Sequence, residues 1–203
     1  MHPPRLDNFD GPAVGEIAVG YEMFEEAFEI YKKFNLKVPA IKVLLDNMED
    51  LDRANEFAAK VDESDVWSCL ASAQLEHGAV SEAIASYLRG ADTSRYLDVI
   101  ERANAAGAYE ELVKYLLMVR KKLRDAKVDS ELAYAYARVG DLAALDEFIT
   151  SNTQANLQSV GDRCVPTTPH CVWVHSLARA LLSCLCCREQ CVVQCVVCSV
   201  CAY

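Results

Sequence analysis

The sequence predicts an all-α fold, an α-solenoid of about five stacked antiparallel helix pairs followed by an irregular cysteine-rich tail. Three observations predict it. Apolar residues recur at helical spacing almost throughout residues 13–163. Glycines fall at equivalent places between short amphipathic segments. A small or apolar anchor returns at intervals close to thirty residues, the length that holds two helices and a turn.

The helices can be justified in order. In YEMFEEAFEIYKKF the stripe is Phe24, Ala27, Phe28, Tyr31 and Phe34, with Glu25, Glu26, Lys32 and Lys33 turned away from it. VPAIKVLLDNM and LDRANEFA form the next pair. DVWSCLASAQL then runs to Gly78 and is followed by VSEAIASYL. Gly107 and Gly140 stand in the same place before AYEELVKYL and LAALDEFI. A glycine suits a helix end because the left-handed conformation costs it no side-chain clash. In YEELVKYLLMVRKKL the expected stripe is Leu112, Val113, Leu116, Leu117 and Leu123. Taking Ala27, Ala54, Ala83, Leu112 and Leu145 as the anchors of the second helices gives intervals of 27, 29, 29 and 33 residues. One helix pair cannot cover its own apolar face, so neighbouring pairs must stack to bury it. The organisation expected is an extended segment at 1–12, a helical repeat at 13–163 and a tail at 164–203.

Charge and cysteine content divide the chain in the same way. The net charge is −10, which argues against binding a nucleic-acid backbone or an anionic membrane. Residues 164–203 hold two arginines and one glutamate, so the preceding 163 residues carry −11. Of ten cysteines only Cys69 precedes position 164; the others are Cys164, Cys171, Cys184, Cys186, Cys187, Cys191, Cys195, Cys198 and Cys201. A body with one cysteine fits a cytoplasmic protein that does not rely on disulfides. The opening MHPPRLDNFD lacks the apolar core of a secretory signal.

Three readings of the tail compete. Tetrahedral zinc requires ligand pairs joined by a loop that folds back, whereas these thiols run along one apolar stretch. Anchoring by cysteine acylation is the second, although Leu177–Cys187 is too short to cross a bilayer and contains Arg179. The third is that CVVQCVVCSVC is the read-through of a GT-repeat nucleotide tract, or a faulty gene model, and not an evolved domain. The third accounts best for a break inside a repeat.

No grouping of catalytic residues emerges, so the expectation is a non-enzyme with no catalytic, cofactor-binding or metal site. His77, just before Gly78, reads as a helix-capping residue. Glu25–Glu26 and Glu110–Glu111 open second helices, where negative charge meets free amide groups. Trp67, Tyr109 and Tyr115 read as core. Lys121, Lys122 and Arg124 form a basic cluster that is either a solvated face or a contact for an acidic neighbour. His170 and His175 fall in the tail.

Tetratricopeptide, HEAT and related repeats share this periodicity; longer strings distinguish them. LDNFD at 6–10, FEEAFEIYKKFN at 24–35, VWSCLASAQL at 66–75, EELVKYLLMVRKK at 110–122 and VGDRC at 160–164 resemble the clathrin heavy chain, in order and spacing, over residues 6–164. The resemblance implies a leg segment of the coat that covers transport vesicles, acting in vesicle-mediated transport and endocytosis. It also implies other heavy-chain legs as partners, with the main clathrin light-chain site outside this chain, and a location on the cytoplasmic face of coated vesicles and pits. Neither nucleic acid nor direct membrane insertion is expected. The alternatives are a free-standing helical-repeat adaptor, or a vacuolar-sorting subunit, that binds protein partners.

Overall fold

The computed structural model describes residues 10–151 and 153–163, and every regular element among them is helical. The helices are α1 (Gly11–Gly20), α2 (Phe24–Lys33), α3 (Lys37–Lys42, continued by a π-helical stretch Val43–Asn47), α4 (Leu51–Val61), α5 (Ser64–Glu76) and α6 (Val80–Gly90). They continue with α7 (Tyr96–Ala106), α8 (Tyr109–Lys122), α9 (Ala126–Val139), α10 (Leu142–Thr150) and α11 (Leu157–Arg163). Pairs α1–α2 to α9–α10 are the five expected, and α11 follows them. Helix begins at Gly11, two residues before the expected start of the repeat. The described residues fall into two compact units, up to Met118 and from Val119, with the division inside α8. The tail cysteines, His170 and His175 lie outside the described residues.

One turn geometry recurs in every pair. The residue between first and second helix is left-handed: Glu22, Glu49, Gly78, Gly107 and Gly140, with φ of 61°, 53°, 81°, 73° and 84°. Each stands five residues before its anchor, and Ala27, Ala54, Ala83, Leu112 and Leu145 are all fully buried. The amide after the turn residue closes it by reaching back into the first helix: Met23 to the Ala18 carbonyl, Ala79 to Gln74, Ala108 to Ala103 and Asp141 to Tyr136. In the second pair the bond runs from Asp50 to Leu44, one residue further back. The extra residue is absorbed by the π-helical stretch, where the Met48 amide bonds the Val43 carbonyl. The register after the turn is therefore kept.

Asp50, Asp125 and Asp141 cap α4, α9 and α10 by accepting from the amides of Arg53, Lys127 and Ala144 at 2.9, 2.8 and 3.0 Å. Such caps are worth about 1 kcal/mol each. Two glycines of α1, Gly11 and Gly15, serve packing instead. A Cβ on Gly15 would lie 2.2 Å from the Tyr31 ring, so only glycine lets α1 approach α2 this closely.

In the first unit the core runs through Phe28, Tyr31, Ile41, Leu44, Phe57, Trp67 and Leu70. Phe28 and Phe57, from α2 and α4, meet edge to face at 5.5 Å. Tyr87 and Tyr115, both fully buried, lie 5.9 Å apart, and the Tyr115 hydroxyl donates to the Asp92 carbonyl at 3.2 Å. In the second unit the buried carboxylate of Asp129 accepts from Arg120 Nε at 2.8 Å, from the Gln154 amide at 2.7 Å and from Thr153 Oγ1 at 3.1 Å. It thereby holds residues 153–154 against α9.

Two expected stripes need correction. Phe34 is 41% exposed because α2 ends at Lys33, so the residue sits past the helix with its ring against Gly11. In α8 the buried set is Leu112, Tyr115, Leu116 and Val119, whereas Leu117 and Leu123 are 38% and 39% exposed. That set follows i, i+3, i+4, i+7, which places Leu117 a further 100° round the helix.

Three outcomes follow. Glu49→Gly relieves a left-handed acidic residue, and urea denaturation should show a gain of about 0.5 kcal/mol, the strain removed less the extra freedom of the unfolded glycine. Asp129→Ala removes the acceptor shared by Arg120, Thr153 and the Gln154 amide, and should cost about 3 kcal/mol in the same assay. Burial raises the Tyr115 and Tyr87 phenols above their ordinary value of 10.0. A raised folded pKa means that their contribution is complete below about pH 10 and is lost as the pH climbs beyond it. Thermal unfolding should therefore show a fall in Tm above about pH 10, less steep in Tyr115→Phe than in the parent chain.

Candidate interaction surface

Several polar side chains among the described residues join one repeat to the next. Arg53 on α4 forms a two-pronged pair with Glu25 on α2, at 2.6 and 2.8 Å and 28 residues away. Lys37 pairs with Glu63, 26 residues on. Ser64 Oγ donates to the Gly90 carbonyl at 2.6 Å, and Arg102 donates to the Leu75 carbonyl at 3.1 Å, separations of 26 and 27 residues. In the second unit Arg163 on α11 grips Glu131 on α9, 32 residues back, while its guanidinium lies 4.1 Å from the centre of the Tyr134 ring. Each separation is close to one repeat length.

These pairs shape the local electrostatics. The hydrogen bond from Arg53 holds the Glu25 carboxyl below its usual value, and Glu25 in turn raises the guanidinium of Arg53. Arg95 is raised by its hydrogen bonds to Asp98 and Glu76. Arg120 joins Asp129 and stacks 4.8 Å from the centre of the Phe148 ring.

Shallow clefts open between successive repeats. One of about 340 Å³, beside the π-helical stretch, is lined by Lys42, Asp46, Ser68, Cys69 and Glu76. Burial pushes the Cys69 thiol up, away from the thiolate form that attacks electrophiles or binds metals. A second cleft, of about 320 Å³, has Phe28 and Phe57 among its lining beside Lys32, Arg53 and Lys60. A third, of about 200 Å³, lies among α4, α5 and α6. All suit contact with another surface better than proton transfer.

The residues singled out in the sequence are found as follows. His77 is the C-cap of α5, its amide bonded to the Ala73 carbonyl. Glu25–Glu26 and Glu110–Glu111 occupy first turns of α2 and α8, and Glu25 has the additional task of holding Arg53. Trp67 and Tyr115 are core, and Tyr109 is half-buried with its hydroxyl on the Asn104 carbonyl. Lys121, Lys122 and Arg124 are exposed at and just beyond the end of α8, and Lys127 follows them. Sequence reasoning missed Arg53, Asp129, Glu131, Arg163 and the buried Gln74. Opposite charges set one period apart, as in Glu25 and Arg53, were the available signal. Among the described residues no group of three or more His, Cys, Asp or Glu is placed to hold a metal ion, and no helix is long and apolar enough to cross a membrane.

Comparison with known proteins agrees with this architecture. The family model described as "Region in Clathrin and VPS" matches residues 4–82 and 88–174, the second match covering the first eleven residues of the stretch assigned to the tail. Clathrin heavy chain 2 of Oryza sativa subsp. japonica is 58% identical over 159 residues, 78% of this chain and 9% of the relative. Clathrin heavy chain 1 of Arabidopsis thaliana is 56% identical over 159 residues, with the same coverage. The clathrin heavy chain of Drosophila melanogaster is 49% identical over 160 residues, 79% of this chain and 10% of the relative. The chain thus spans about a tenth of the length of the curated relatives it matches. With a family match over most of its length and relatives this similar, the chain belongs to the clathrin heavy-chain repeat family.

Proposed function

We propose that this chain is a structural segment of a clathrin-type coat, acting in vesicle-mediated transport and endocytosis on the cytoplasmic face of coated vesicles and pits. The observation that carries the reading is its 58% identity to a clathrin heavy chain along the helical repeat. The repeat itself supports a mechanical role. Successive helix pairs in each unit share apolar core, left-handed turns and polar links one period apart, so bending a unit must break several contacts together.

In this role the partners are equivalent segments of other heavy chains, met side by side through many weak contacts that become strong only in number. Light-chain binding belongs mainly to parts of the heavy chain outside this segment. The domain assignment proposed is a repeat over 13–163 with 1–12 and 164–203 as flanking segments. The chain supplies no catalytic step.

The charge of −10 sets the conditions for lateral association. Carboxylates on adjacent segments repel, and both added salt and a lower pH weaken that repulsion. Sedimentation velocity of the purified chain should therefore show stronger self-association on going from about pH 7.5 to about pH 6, and on raising salt from about 0.02 to about 0.3 M. Association that is unchanged or weaker under both conditions would contradict lateral packing.

A further inference from the structure

The cleft among α4, α5 and α6 combines an almost fully buried amide side chain with two charged residues that have no ionic partner among the described residues. Its lining includes Asn55, Trp67, Gln74, Glu82, Ser86 and Arg89. Gln74 is 3% exposed, unusual for an amide side chain on a helix otherwise buried through apolar residues. Its Oε1 accepts from Ser86 Oγ at 2.7 Å. The Nε2 group, with two protons to donate, makes no hydrogen bond among the described residues. Arg89 is also distinctive. Four arginines lie between residues 10 and 118, and Arg53, Arg95 and Arg102 all donate to acceptors on neighbouring elements. The Arg89 guanidinium instead lies 4.7 Å from the centre of the buried Trp67 ring, held in place without an ion pair among the described residues. Glu82, at the other end of the cleft, likewise has no cationic partner among them.

The spacing of these groups defines what fits. Glu82, Ser86 and Arg89 stand on successive turns of α6, so the two charges are separated by seven residues, or about 10 Å along the helix. A polyproline-type peptide advances about 9 Å in three residues and returns to the same face, and its carbonyls have no internal hydrogen bonds. We propose that this cleft binds an extended peptide segment of a protein partner that carries a carboxylate and a cationic side chain three residues apart. The carboxylate pairs with Arg89, the cation pairs with Glu82, and a peptide carbonyl between them accepts from Gln74 Nε2. The Gln74 Nε2 donor, which lines the cleft, gains a peptide acceptor in the complex and so favours backbone, while the charges fix the register.

The test uses the whole 203-residue chain, labelled with ¹⁵N and titrated with acetyl-Asp-Pro-Pro-Lys-amide. Saturable shifts are expected at the Gln74 side-chain amide and at the Arg89 Nε–H, with a Kd on the order of 1 mM. The uncharged acetyl-Asn-Pro-Pro-Gln-amide should bind at least about tenfold more weakly, and Arg89→Gln should weaken the charged probe by a similar factor. Arg89 is exposed, and an unchanged Tm in Arg89→Gln shows that losing its contact with Trp67 leaves the fold intact; Gln74→Leu serves as a second variant. Absence of saturable shifts up to about 10 mM, equal affinity for both probes, or an unchanged affinity in Arg89→Gln would each overturn the proposal. Self-association under the conditions above is independent of these outcomes.

Discussion

The count of five residues from the left-handed turn to the buried anchor governs the rest of the structure. Each residue of a helix rotates the next by 100°, so a slip of one between turn and anchor would swing Ala54 or Leu112 out of the core and bring a charged neighbour in. The chain keeps this count in all five pairs even where the side chain at the turn is ill suited to it, as with Glu22 and Glu49. Where the second pair carries one residue more, the surplus is placed ahead of the turn, in the π-helical stretch Val43–Asn47. A bulge there costs a local distortion of the hydrogen-bond ladder, whereas one after the turn would misdirect a whole amphipathic helix.

Small anchors also set how polar groups can be used. Three of the five anchors are alanine and fully buried, and Gly15 meets the Tyr31 ring with no room for a Cβ. Repeats packed this closely bring residues 26–32 positions apart into reach, and Glu25–Arg53, Ser64–Gly90, Leu75–Arg102 and Glu131–Arg163 occupy that reach. An exposed ion pair contributes little by itself, from nothing to about 1 kcal/mol. The buried carboxylate of Asp129 is different, since three donors meet on it and two of them, from Thr153 and Gln154, belong to the segment after α10.

Period and pairing were legible because both are written in local sequence. The anchors gave intervals of 27, 29, 29 and 33, and the left-handed residues repeat the same intervals five positions earlier. Gly78, Gly107 and Gly140 announced their turns; Glu22 and Glu49 could not, because acidic residues are rarely left-handed and tertiary packing imposes the conformation here. The α8 stripe was misread by preferring leucines to phase. Tyr115 and Val119 continue the spacing set by Leu112, while Leu117 and Leu123 are aliphatic but turned outward. The candidate cleft was illegible for another reason. Gln74 reads as an ordinary polar helix residue until the structure places α6 over it, and the idle donor of its amide follows from where Ser86 lies.

The excess of carboxylates then bears on how a segment of this kind meets its neighbours. Within the described part of the first unit, Arg53, Arg95 and Arg102 are committed to holding repeats together, so they are poor candidates for reaching a second chain. Lys121, Arg124 and Lys127 are exposed near the end of α8 and the start of α9, while Lys33, Lys42, Lys60, Arg89 and Lys114 stand exposed on other helices or another turn of α8. A surface so distributed has no large area of self-attraction. Under the proposed coat role, each lateral contact is consequently weak and sensitive to ionic strength, and cohesion must come from repetition along the length of many segments.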